Sequence, residues 1–427
     1  MAIFSEYSVN NSIFDNMNNA IFKKGFHSIC VKDPVIDGLS AHVPPIYATS
    51  TFTYEDLDKA FEFFKSGGKT ENVFTYSRLG NPTVQFVANK IAALEAYNIK
   101  DDDGNALEAY GVLFGSGMAA IAAAILANVK SGDKVITQGN LYGTTNELLT
   151  SFLKDFGIET IHADLKDLNF VEDAIINDDK IKLLYIETPA NPTLACYDLD
   201  ALAAIAQNLG IKTIVDNTFA TPYFQQPLKY GIDFVVHSST KFLNGHGTGT
   251  TGVVIGKDKE LMQNKIYGIQ KVLGGICSPF EAYLLNNGLK TLPLRMEQHQ
   301  KNAKDLANFL SNNNKVSKVN YLGLESHADF VLAKDQMNGS IGMLSFELAG
   351  GLEAGMQFMR AIQFCTLTAS LGTADTLVTH SASTSHINVP KEQRLQNGIT
   401  DGLIRVSVGL ENIEDIIADF EQAIATL

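Results

Sequence analysis

The sequence places residues with chemical potential directly after short apolar runs. Gly115-Ser116-Gly117 separates the apolar run 110–114 from an alanine-rich helical segment that begins at Met118. A glycine turn that leads into a helix N-terminus offers backbone N–H groups and the positive end of the helix dipole to an anion. This pattern is typical of a phosphate site, and the competing interpretation is a plain tight turn.

A carboxylate and a lysine follow two further apolar runs. Asp216 ends one of them, where it either faces a ligand or caps a following helix. Lys241 follows Ser238-Ser239-Thr240, so hydroxyl groups suited to a phosphate lie beside an amine that can form a Schiff base with a carbonyl compound. His237 and His246 lie nearby, but the sequence has no third ligand at a metal-site spacing, and we interpret both as structural histidines.

Short apolar runs alternate with helical segments between residues 110 and 255, which predicts an α/β domain with a mostly parallel sheet. The predicted strands cover residues 110–114, 134–137, 159–162, 183–186, 213–216, 234–237 and 252–255. Because ligands bind at the carboxyl ends of such strands, we expect the glycine turn, Asp216 and Lys241 to lie close together. Farther along, a long helix over 281–311, a strand over 341–346 and a closing helix over 413–425 predict an α+β C-terminal domain.

The chain has 427 residues, a formal net charge of −14 at pH 7 and 4 cysteines. The acidic balance argues against a general nucleic-acid-binding or membrane-binding surface. None of the cysteines forms a Cys-x-x-Cys pair, so neither a zinc ribbon nor a disulfide framework is indicated. The N-terminus lacks the basic start and apolar core of a signal peptide, and we expect a soluble cytoplasmic protein.

Together these residues fit a pyridoxal 5'-phosphate (PLP) site, which needs a lysine for covalent attachment, an aspartate for the pyridine nitrogen and a phosphate cup. A competing hypothesis is a nicotinamide-dependent or non-catalytic α/β protein, because the spacing Gly115-x-Gly117-x-x-Ala120 is similar to a dinucleotide fingerprint. The next predicted strand, however, leads into Gln138-Gly139-Asn140 and supplies no carboxylate for a ribose. The sequence therefore favours PLP.

Eight segments carry a resemblance to a known family. They are Tyr76-Ser-Arg78-Leu-Gly-Asn-Pro-Thr83, Gly115-Ser-Gly-Met118, Leu141-Tyr142-Gly143, Glu187-Thr-Pro-Ala-Asn191-Pro-Thr193, Asp216-Asn-Thr-Phe-Ala-Thr-Pro222, Val236-His-Ser-Ser-Thr-Lys241, Gly288-Leu-Lys-Thr-Leu-Pro-Leu-Arg-Met296 and Gly402-Leu-Ile-Arg405-Val-Ser-Val-Gly-Leu-Glu411. In this order they resemble the cysteine/methionine-metabolism family of PLP-dependent enzymes, which includes cystathionine synthases and lyases, methionine γ-lyase and O-acetylhomoserine sulfhydrylase.

The resemblance implies an architecture as well as a cofactor. The expected fold is α/β and aspartate-aminotransferase-like (fold type I), with a mostly parallel central sheet and an α+β C-terminal domain. Residues 1–75 are expected to form an N-terminal arm or lobe that contacts a neighbouring subunit, residues 76–280 the PLP-binding domain and residues 281–427 the C-terminal domain. The implied assembly is a homotetramer, a dimer of dimers with shared active sites, acting on a small sulfur or O-acyl amino acid.

The resemblance also implies roles for individual residues around the cofactor. Lys241 resembles the lysine that binds PLP covalently, Asp216 the partner of the pyridine nitrogen, and Tyr142 the tyrosine that stacks on the ring and relays a proton. These three are the expected catalytic residues. The phosphate is expected to be held by Ser238, Thr240 and the amides of Gly117 and Met118, completed by Tyr76 and Arg78 of a neighbouring subunit.

The resemblance implies that Arg405 pairs with the substrate carboxylate, and arginine suits this role because it binds a carboxylate through two parallel hydrogen bonds. The resemblance implies that Ser370 and Asn191 assist Arg405. Asn191 is also expected near the phenolic oxygen of the cofactor.

The reaction within the family depends on a few positions. Cystathionine-handling members usually have a glutamate where this chain has Ala369, and methionine γ-lyases typically have a cysteine where it has Thr144. Ser278-Pro-Phe280 and Ser381-Ala-Ser-Thr-Ser-His386 resemble the sulfhydrylases, whereas the stretch 345–355 resembles the lyases.

These positions lead to a main prediction and an alternative. The main prediction is an O-acetylhomoserine sulfhydrylase, which replaces the γ-substituent of O-acetyl-L-homoserine with sulfide or a thiol to give homocysteine or methionine. The alternative is a methionine γ-lyase, which releases 2-oxobutanoate, ammonia and methanethiol. A cystathionine γ-synthase or lyase is less favoured, because Ala369 offers no anion to a distal ammonium group.

Overall fold

The computed structural model describes residues 20–36, 40–54, 56–66, 73–384, 387 and 391–427. Parts of two predicted segments lie outside these residues, namely positions 1–19, 37–39, 55 and 67–72 of the N-terminal arm and positions 385–386 of the sulfhydrylase-like motif. Within the described part of the chain, twelve strands form two sheets.

The larger sheet has the predicted, mostly parallel arrangement. Its strands are β1 Tyr110–Phe114, β2 Lys134–Gln138, β3 Glu159–Ala163, β4 Ile181–Glu187, β5 Lys212–Asp216, β6 Phe234–His237 and β7 Gly252–Gly256, in the spatial order β1-β7-β6-β5-β4-β2-β3. Strands β2 to β6 pair in parallel, and β7 is antiparallel to both neighbours. The inner strands are buried on both faces, which explains why they read as continuous apolar runs.

Helices follow most of these strands and continue into the C-terminal part. The α-helices are α1 Phe26–Val31, α2 Leu57–Lys65, α3 Pro82–Glu95, α4 Gly117–Leu126, α5 Gly143–Glu147, α6 Leu153–Asp155, α7 Leu168–Asn177, α8 Leu199–Asn208, α9 Thr221–Phe224, α10 Lys259–Leu261, α11 Tyr267–Leu273, α12 Pro279–Leu289, α13 Leu292–Ser311, α14 Phe330–Gln336, α15 Gly351–Ala361, α16 Lys391–Gln396 and α17 Ile413–Ala425. Short 3-10 helices cover Ala20–Lys23, Pro227–Tyr230 and Ser381–Ser383, and π-helical turns cover Leu148–Phe152 and Met262–Ile266. No helix within the described ranges combines the length and apolar character needed to cross a bilayer.

The smaller sheet belongs to the C-terminal part. Its strands are β8 Val316–Asn320, β9 Met343–Leu348, β10 Thr366–Leu367, β11 Leu377–His380 and β12 Leu403–Ser407, in the order β10-β11-β12-β9-β8. Phe346 of β9, Phe358 of α15 and Phe420 of α17 pack ring against ring, with centroids 5.4 to 6.0 Å apart. Large aromatic side chains therefore join the helices to this sheet.

The predicted long helix over 281–311 is wrong, because the structure has two helices there. α12 ends at Leu289 and α13 begins at Leu292, with Pro293 in its first turn. Proline has no N–H group to donate to the carbonyl of Leu289, four positions before it, so the helix stops and restarts.

Part of the predicted N-terminal arm packs on the main body of this same chain. Phe26, Ile29 and Cys30 of α1 are buried in the main hydrophobic core. The Lys90 ammonium, also buried, donates to the Cys30 carbonyl at 3.0 Å and to the Asp33 carboxylate at 2.7 Å. The division into three domains and the contact of residues 1–75 with a neighbouring subunit stay predictions.

Candidate active site

The carboxyl ends of three adjacent strands form the floor of the candidate site. Glu187 ends β4, Asp216 ends β5 and His237 ends β6, and Glu187 pairs with Asp216 across the sheet. Parallel strands place their carboxyl ends at one edge, which is where α/β sheets bind ligands. The loops that follow these strands carry most of the predicted site residues.

Asp216 is buried and held in a fixed orientation. Its Oδ1 accepts hydrogen bonds from the Thr218 amide at 3.0 Å and the Thr218 hydroxyl at 2.5 Å, and the Tyr185 hydroxyl lies 3.4 Å from Oδ2. Burial raises the pKa of Asp216, while the Thr218 hydrogen bonds act in the opposite direction. This buried carboxylate favours a cationic partner at Oδ2, because the hydrogen bond that Oδ2 accepts from Tyr185 is long.

Lys241 lies in the turn after β6 with a neutral partner. Its Nζ donates to the Ser370 hydroxyl at 3.1 Å. Burial lowers the pKa of Lys241, and the positive charge of Arg405 lowers it further. Both effects favour the uncharged amine, which is the nucleophilic form.

The glycine turn before α4 allows an unusually close approach to the loop that carries Lys241. A Cβ atom added to Gly117 would lie 2.6 Å from the Cβ and 2.7 Å from the Oγ of Ser238. The Ser116 hydroxyl caps α4 by accepting from the Ala119 amide at 3.1 Å, so the amides of Gly117 and Met118 keep their donors available at the helix N-terminus. The N-terminus of α4 and Ser238 thus form one small polar cradle.

Thr240, another predicted phosphate ligand, already has a partner. Its hydroxyl donates to the Thr251 carbonyl at 3.1 Å and accepts from the Thr251 amide at 2.9 Å. In this conformation the hydroxyl supports the loop around Lys241.

Arg405 is 5% exposed and projects from the middle of β12 toward Lys241 and Ser370. Its Nη1 donates to the Asn191 Oδ1 at 3.2 Å, and its Nη2 donates to the Ser370 carbonyl at 2.9 Å and the Ala369 carbonyl at 3.3 Å. The Nε of Arg405 is buried without a hydrogen-bond partner among the described residues. A buried guanidinium with no carboxylate and a free donor is suited to an anionic ligand.

The structure brings Tyr142 and Asn191 together through a residue to which the sequence analysis gave no role. The carboxylate of Glu187 accepts from the Tyr142 amide at 2.8 Å through Oε2 and from the Asn191 amide at 2.9 Å through Oε1. Tyr142 is 47% exposed, so its ring stands at the open face of the site. The available signal was position, since Glu187, like Asp216, ends an apolar strand.

Tyr76 and Arg78 are the two predicted residues that this chain does not bring to the cradle. The Arg78 guanidinium lies 5.5 Å from the Tyr76 ring centroid and donates to the Lys271 carbonyl at 2.6 Å. Both side chains are exposed. Neither has a recorded contact with Gly117 or Ser238 within the described part of the chain, so a role in a phosphate cup requires a second subunit.

The two histidines have structural partners. The Nε2 of His237 lies 2.6 Å from Oε1 of the buried Glu95, and the Nδ1 of His246 lies 2.6 Å from the Asn244 carbonyl oxygen. Both rings are therefore engaged within the fold.

The arrangement fits PLP on its own geometry. The cradle at Gly117 would be filled by any Cβ. The buried Asp216 carboxylate is linked to this cradle through the Thr218 hydroxyl, which accepts from the Ser238 amide, and the Lys241 amine donates to a neutral hydroxyl. A PLP site requires an anion cradle, a carboxylate and a lysine. This chain supplies all three from the loops after β1, β5 and β6.

The chain is similar to known PLP-dependent enzymes over most of its length. A family model described as "Cys/Met metabolism PLP-dependent enzyme" matches residues 30–425. The chain is 45% identical over 381 residues to L-methionine gamma-lyase of Fusobacterium nucleatum subsp. nucleatum, covering 89% of this chain and 92% of that one. It is 40% identical over 383 residues to cystathionine gamma-lyase of Bacillus subtilis, covering 90% and 94%.

A solved structure of a related enzyme has the same fold. Cystathionine gamma-lyase from Lactobacillus plantarum, complexed with L-serine, matches with a TM-score of 0.85 and 37% identity over 94% of this chain and 99% of that one. The chain therefore belongs to the Cys/Met-metabolism family of PLP-dependent enzymes. The predicted fold class and PLP cofactor are confirmed, and the nicotinamide hypothesis is set aside.

Proposed function

We propose that this protein is a C–S lyase that cleaves L-methionine by γ-elimination into 2-oxobutanoate, ammonia and methanethiol. The relatives described above carry the names of lyases, which supports the alternative of the sequence analysis over its main prediction, the O-acetylhomoserine sulfhydrylase. Sequence identity of 45% over most of both chains is the broadest support for this choice.

Ala369 is the observation that favours methionine over cystathionine. Its side chain is exposed, while its carbonyl accepts from Arg405. A substrate whose carboxylate binds Arg405 therefore meets a methyl group at this position. An apolar methylthio group suits that neighbour, whereas the distal ammonium of cystathionine finds no carboxylate there.

In this proposal Arg405 and Asn191 bind and orient the substrate carboxylate. The Nε and Nη groups of Arg405 supply the donors, and the Asn191 side chain, now bonded to Nη1, turns toward the substrate. Ser370 holds the Lys241 amine next to this position. The substrate is thereby placed with its α-carbon near the base that must move its proton.

Three residues hold or transfer protons in the proposed reaction, namely Lys241, Tyr142 and Asp216. Bound PLP supplies an electron sink for negative charge at the substrate α-carbon. Lys241 takes up the α-proton and moves a proton at the β-carbon, because its lowered pKa provides the free amine. Asp216 keeps a proton on the pyridine nitrogen, and the Tyr142 hydroxyl delivers a proton to the leaving thiolate.

We include Tyr76 and Arg78 of a second subunit in the phosphate site, as the family resemblance implies. Both side chains are exposed, the Arg78 guanidinium lies over the Tyr76 ring, and it donates to the Lys271 carbonyl. The proposal requires an assembly of at least two chains, and a homotetramer is the assembly implied by the resemblance.

The sulfhydrylase remains the second candidate because of Thr144. This residue is exposed in the first turn of α5, two positions after Tyr142. A hydroxyl replaces the thiol typical of methionine γ-lyases there. Acetate is a better leaving group than a thiolate and depends less on the residues near Tyr142.

The direct test is product formation from methionine alone. Purified protein with bound PLP is incubated with L-methionine, and 2-oxobutanoate and methanethiol are measured together. Equal amounts of both products are expected, with Lys241→Ala as the inactive control. Absence of both products in a protein that shows the visible absorbance of bound PLP would contradict the proposal.

The role of Ala369 is tested by Ala369→Glu. This variant is expected to raise kcat/KM for cystathionine relative to that for methionine. One charge-assisted hydrogen bond contributes about 1.5–3 kcal/mol, equivalent to roughly a 10- to 150-fold change in that ratio. An unchanged ratio would show that Ala369 does not determine the preference between methionine and cystathionine.

A further inference from the structure

Glu187 bridges two loops that leave different strands of the large sheet. It ends β4 and is 6% exposed. One carboxylate oxygen accepts from the backbone of Tyr142, which follows β2, and the other accepts from the backbone of Asn191, which follows β4. This carboxylate therefore ties the two loops together at Tyr142 and Asn191, beside a second link in which the Asn140 Nδ2 donates to the Thr193 hydroxyl at 2.7 Å.

We propose that Glu187 is a positioning residue that holds Tyr142 and Asn191 at a fixed spacing around the cofactor ring. This inference rests on the proposed function, in which Tyr142 stacks on the ring and Asn191 lies near its phenolic oxygen and the substrate. Glu187 itself acts through the two amides and contributes no group to the reaction.

A carboxylate is the side chain best suited to this bridge. An ionised carboxylate only accepts hydrogen bonds and has two equivalent oxygens, so it satisfies two N–H donors at once. A glutamine of the same shape has one acceptor, and its amide nitrogen would face the second N–H group donor to donor. One of the two loops then loses its anchor.

The electrostatic environment shows why the bridge needs both donors. Burial and the neighbouring Asp216 carboxylate raise the pKa of Glu187, and the Tyr142 and Asn191 amides lower it. Within the described part of the chain, Tyr185 and Tyr197 are further titratable groups that interact with it. Both carboxyl oxygens accept from an N–H group, an arrangement that favours the ionised side chain over the protonated one and offsets part of the cost of its burial.

The chain offers a matched control at the end of the neighbouring strand β2. Gln138 at the end of β2 also contacts Glu187, but through the backbone of Glu187. Its Nε2 donates to the Glu187 carbonyl at 2.7 Å, and its Oε1 accepts from the Glu187 amide at 3.2 Å. Gln138→Met removes both bonds at similar volume and leaves the carboxylate bridge in place.

The experiment compares Glu187→Gln with Gln138→Met in the PLP-loaded protein. The readouts are the visible circular dichroism of bound PLP, which reports how rigidly the ring is held, the values of kcat and KM for methionine, and the melting temperature. Glu187→Gln is expected to lose most of the dichroic band and to lower kcat about tenfold or more, in line with the loss of one charge-assisted hydrogen bond. Gln138→Met is expected to lower the melting temperature while the dichroic band and kcat stay near wild type.

Two results would overturn the proposal. The first is a wild-type dichroic band and kcat in Glu187→Gln. The second is an equal loss of the dichroic band and of kcat in both variants, which would mean that Glu187 only stabilises the end of its strand. If Glu187→Gln does not fold, Glu187→Asp replaces it, because the shorter side chain reaches only one amide and the same loss is expected. A wild-type protein that binds PLP but does not cleave methionine would instead refute the proposed function, and the dichroic comparison would still test Glu187.

Discussion

Replacing Gly117 with alanine is expected to weaken PLP binding, because the phosphate cradle has no room for a side chain. The new Cβ would lie 2.6 Å from the Ser238 Cβ and 2.9 Å from the Ser238 Cα. Optimal carbon–carbon contact is about 3.5–4.0 Å, so α4 and the Ser238 loop must separate by roughly 1 Å. That movement widens the cradle formed by the two elements.

The size of the effect follows from the packing. Forcing an extra methyl group into a filled site costs about 1–3 kcal/mol. If the strain falls on the bound state, PLP affinity decreases about 5- to 150-fold. Asp216 and Lys241 are left in place by this substitution, so the remaining bound cofactor should keep the absorbance of the wild-type protein.

The assay is a titration of the cofactor-free protein with PLP, followed by visible absorbance. Absorbance is preferred over intrinsic tryptophan fluorescence, because the chain has no tryptophan. Gly268→Ala is the matched control, since Gly268 lies near the start of α11 and an added Cβ there meets nothing within 4 Å. Equal PLP affinity in Gly117→Ala and wild type would refute the assignment of this turn as the phosphate cradle.

Three further outcomes are expected. Asp216→Asn should keep the melting temperature near wild type but lower kcat at least about a hundredfold, because a neutral amide loses the interaction of several kcal/mol with the pyridinium charge. A near-native kcat with bound PLP would exclude the role of Asp216. Mixing inactive Arg78→Ala and Lys241→Ala proteins under subunit exchange should restore part of the activity, whereas a fully active monomer in sedimentation would exclude a shared site. Burial lowers the pKa of His299 to about 4, whereas in the unfolded chain this side chain takes up a proton below about pH 6.5. The free energy of unfolding should therefore decrease as the pH falls from 6.5 to 4, by up to about 3 kcal/mol. His299→Asn, which can still donate to the Val408 carbonyl, should flatten this decrease in urea unfolding, and an identical pH profile would exclude His299 as the cause.

Residues fixed by local pattern were predictable from the sequence. Asp216 and Lys241 follow short apolar strands, and the sheet geometry brings such positions to one edge whatever the rest of the chain does. The strands 110–114 and 234–237 were predicted with the bounds observed, because apolar runs buried on both faces have sharp ends. The break between α12 and α13 was missed, although Pro293 was a visible signal for it.

Contacts between distant parts of the chain were beyond the sequence pattern alone. Arg405 and Asn191 are 214 positions apart, and only the tertiary fold, which places β12 beside the loop after β4, brings the two side chains within 3.2 Å. Glu187 belongs to one of the segments that resemble the family, but its hydrogen bond to the Tyr142 amide depends on the position of the loop after β2. Side-chain to backbone bonds of this kind leave no periodic trace in a sequence.

The most direct test of the proposed function is the ratio of two rates on one preparation of the PLP-loaded protein. The quantities are kcat/KM for elimination from L-methionine and kcat/KM for γ-replacement of O-acetyl-L-homoserine by sulfide. We predict a ratio in favour of methionine, with Thr144 no obstacle to release of the thiolate. Faster replacement of O-acetylhomoserine would contradict the lyase proposal and restore the sulfhydrylase prediction.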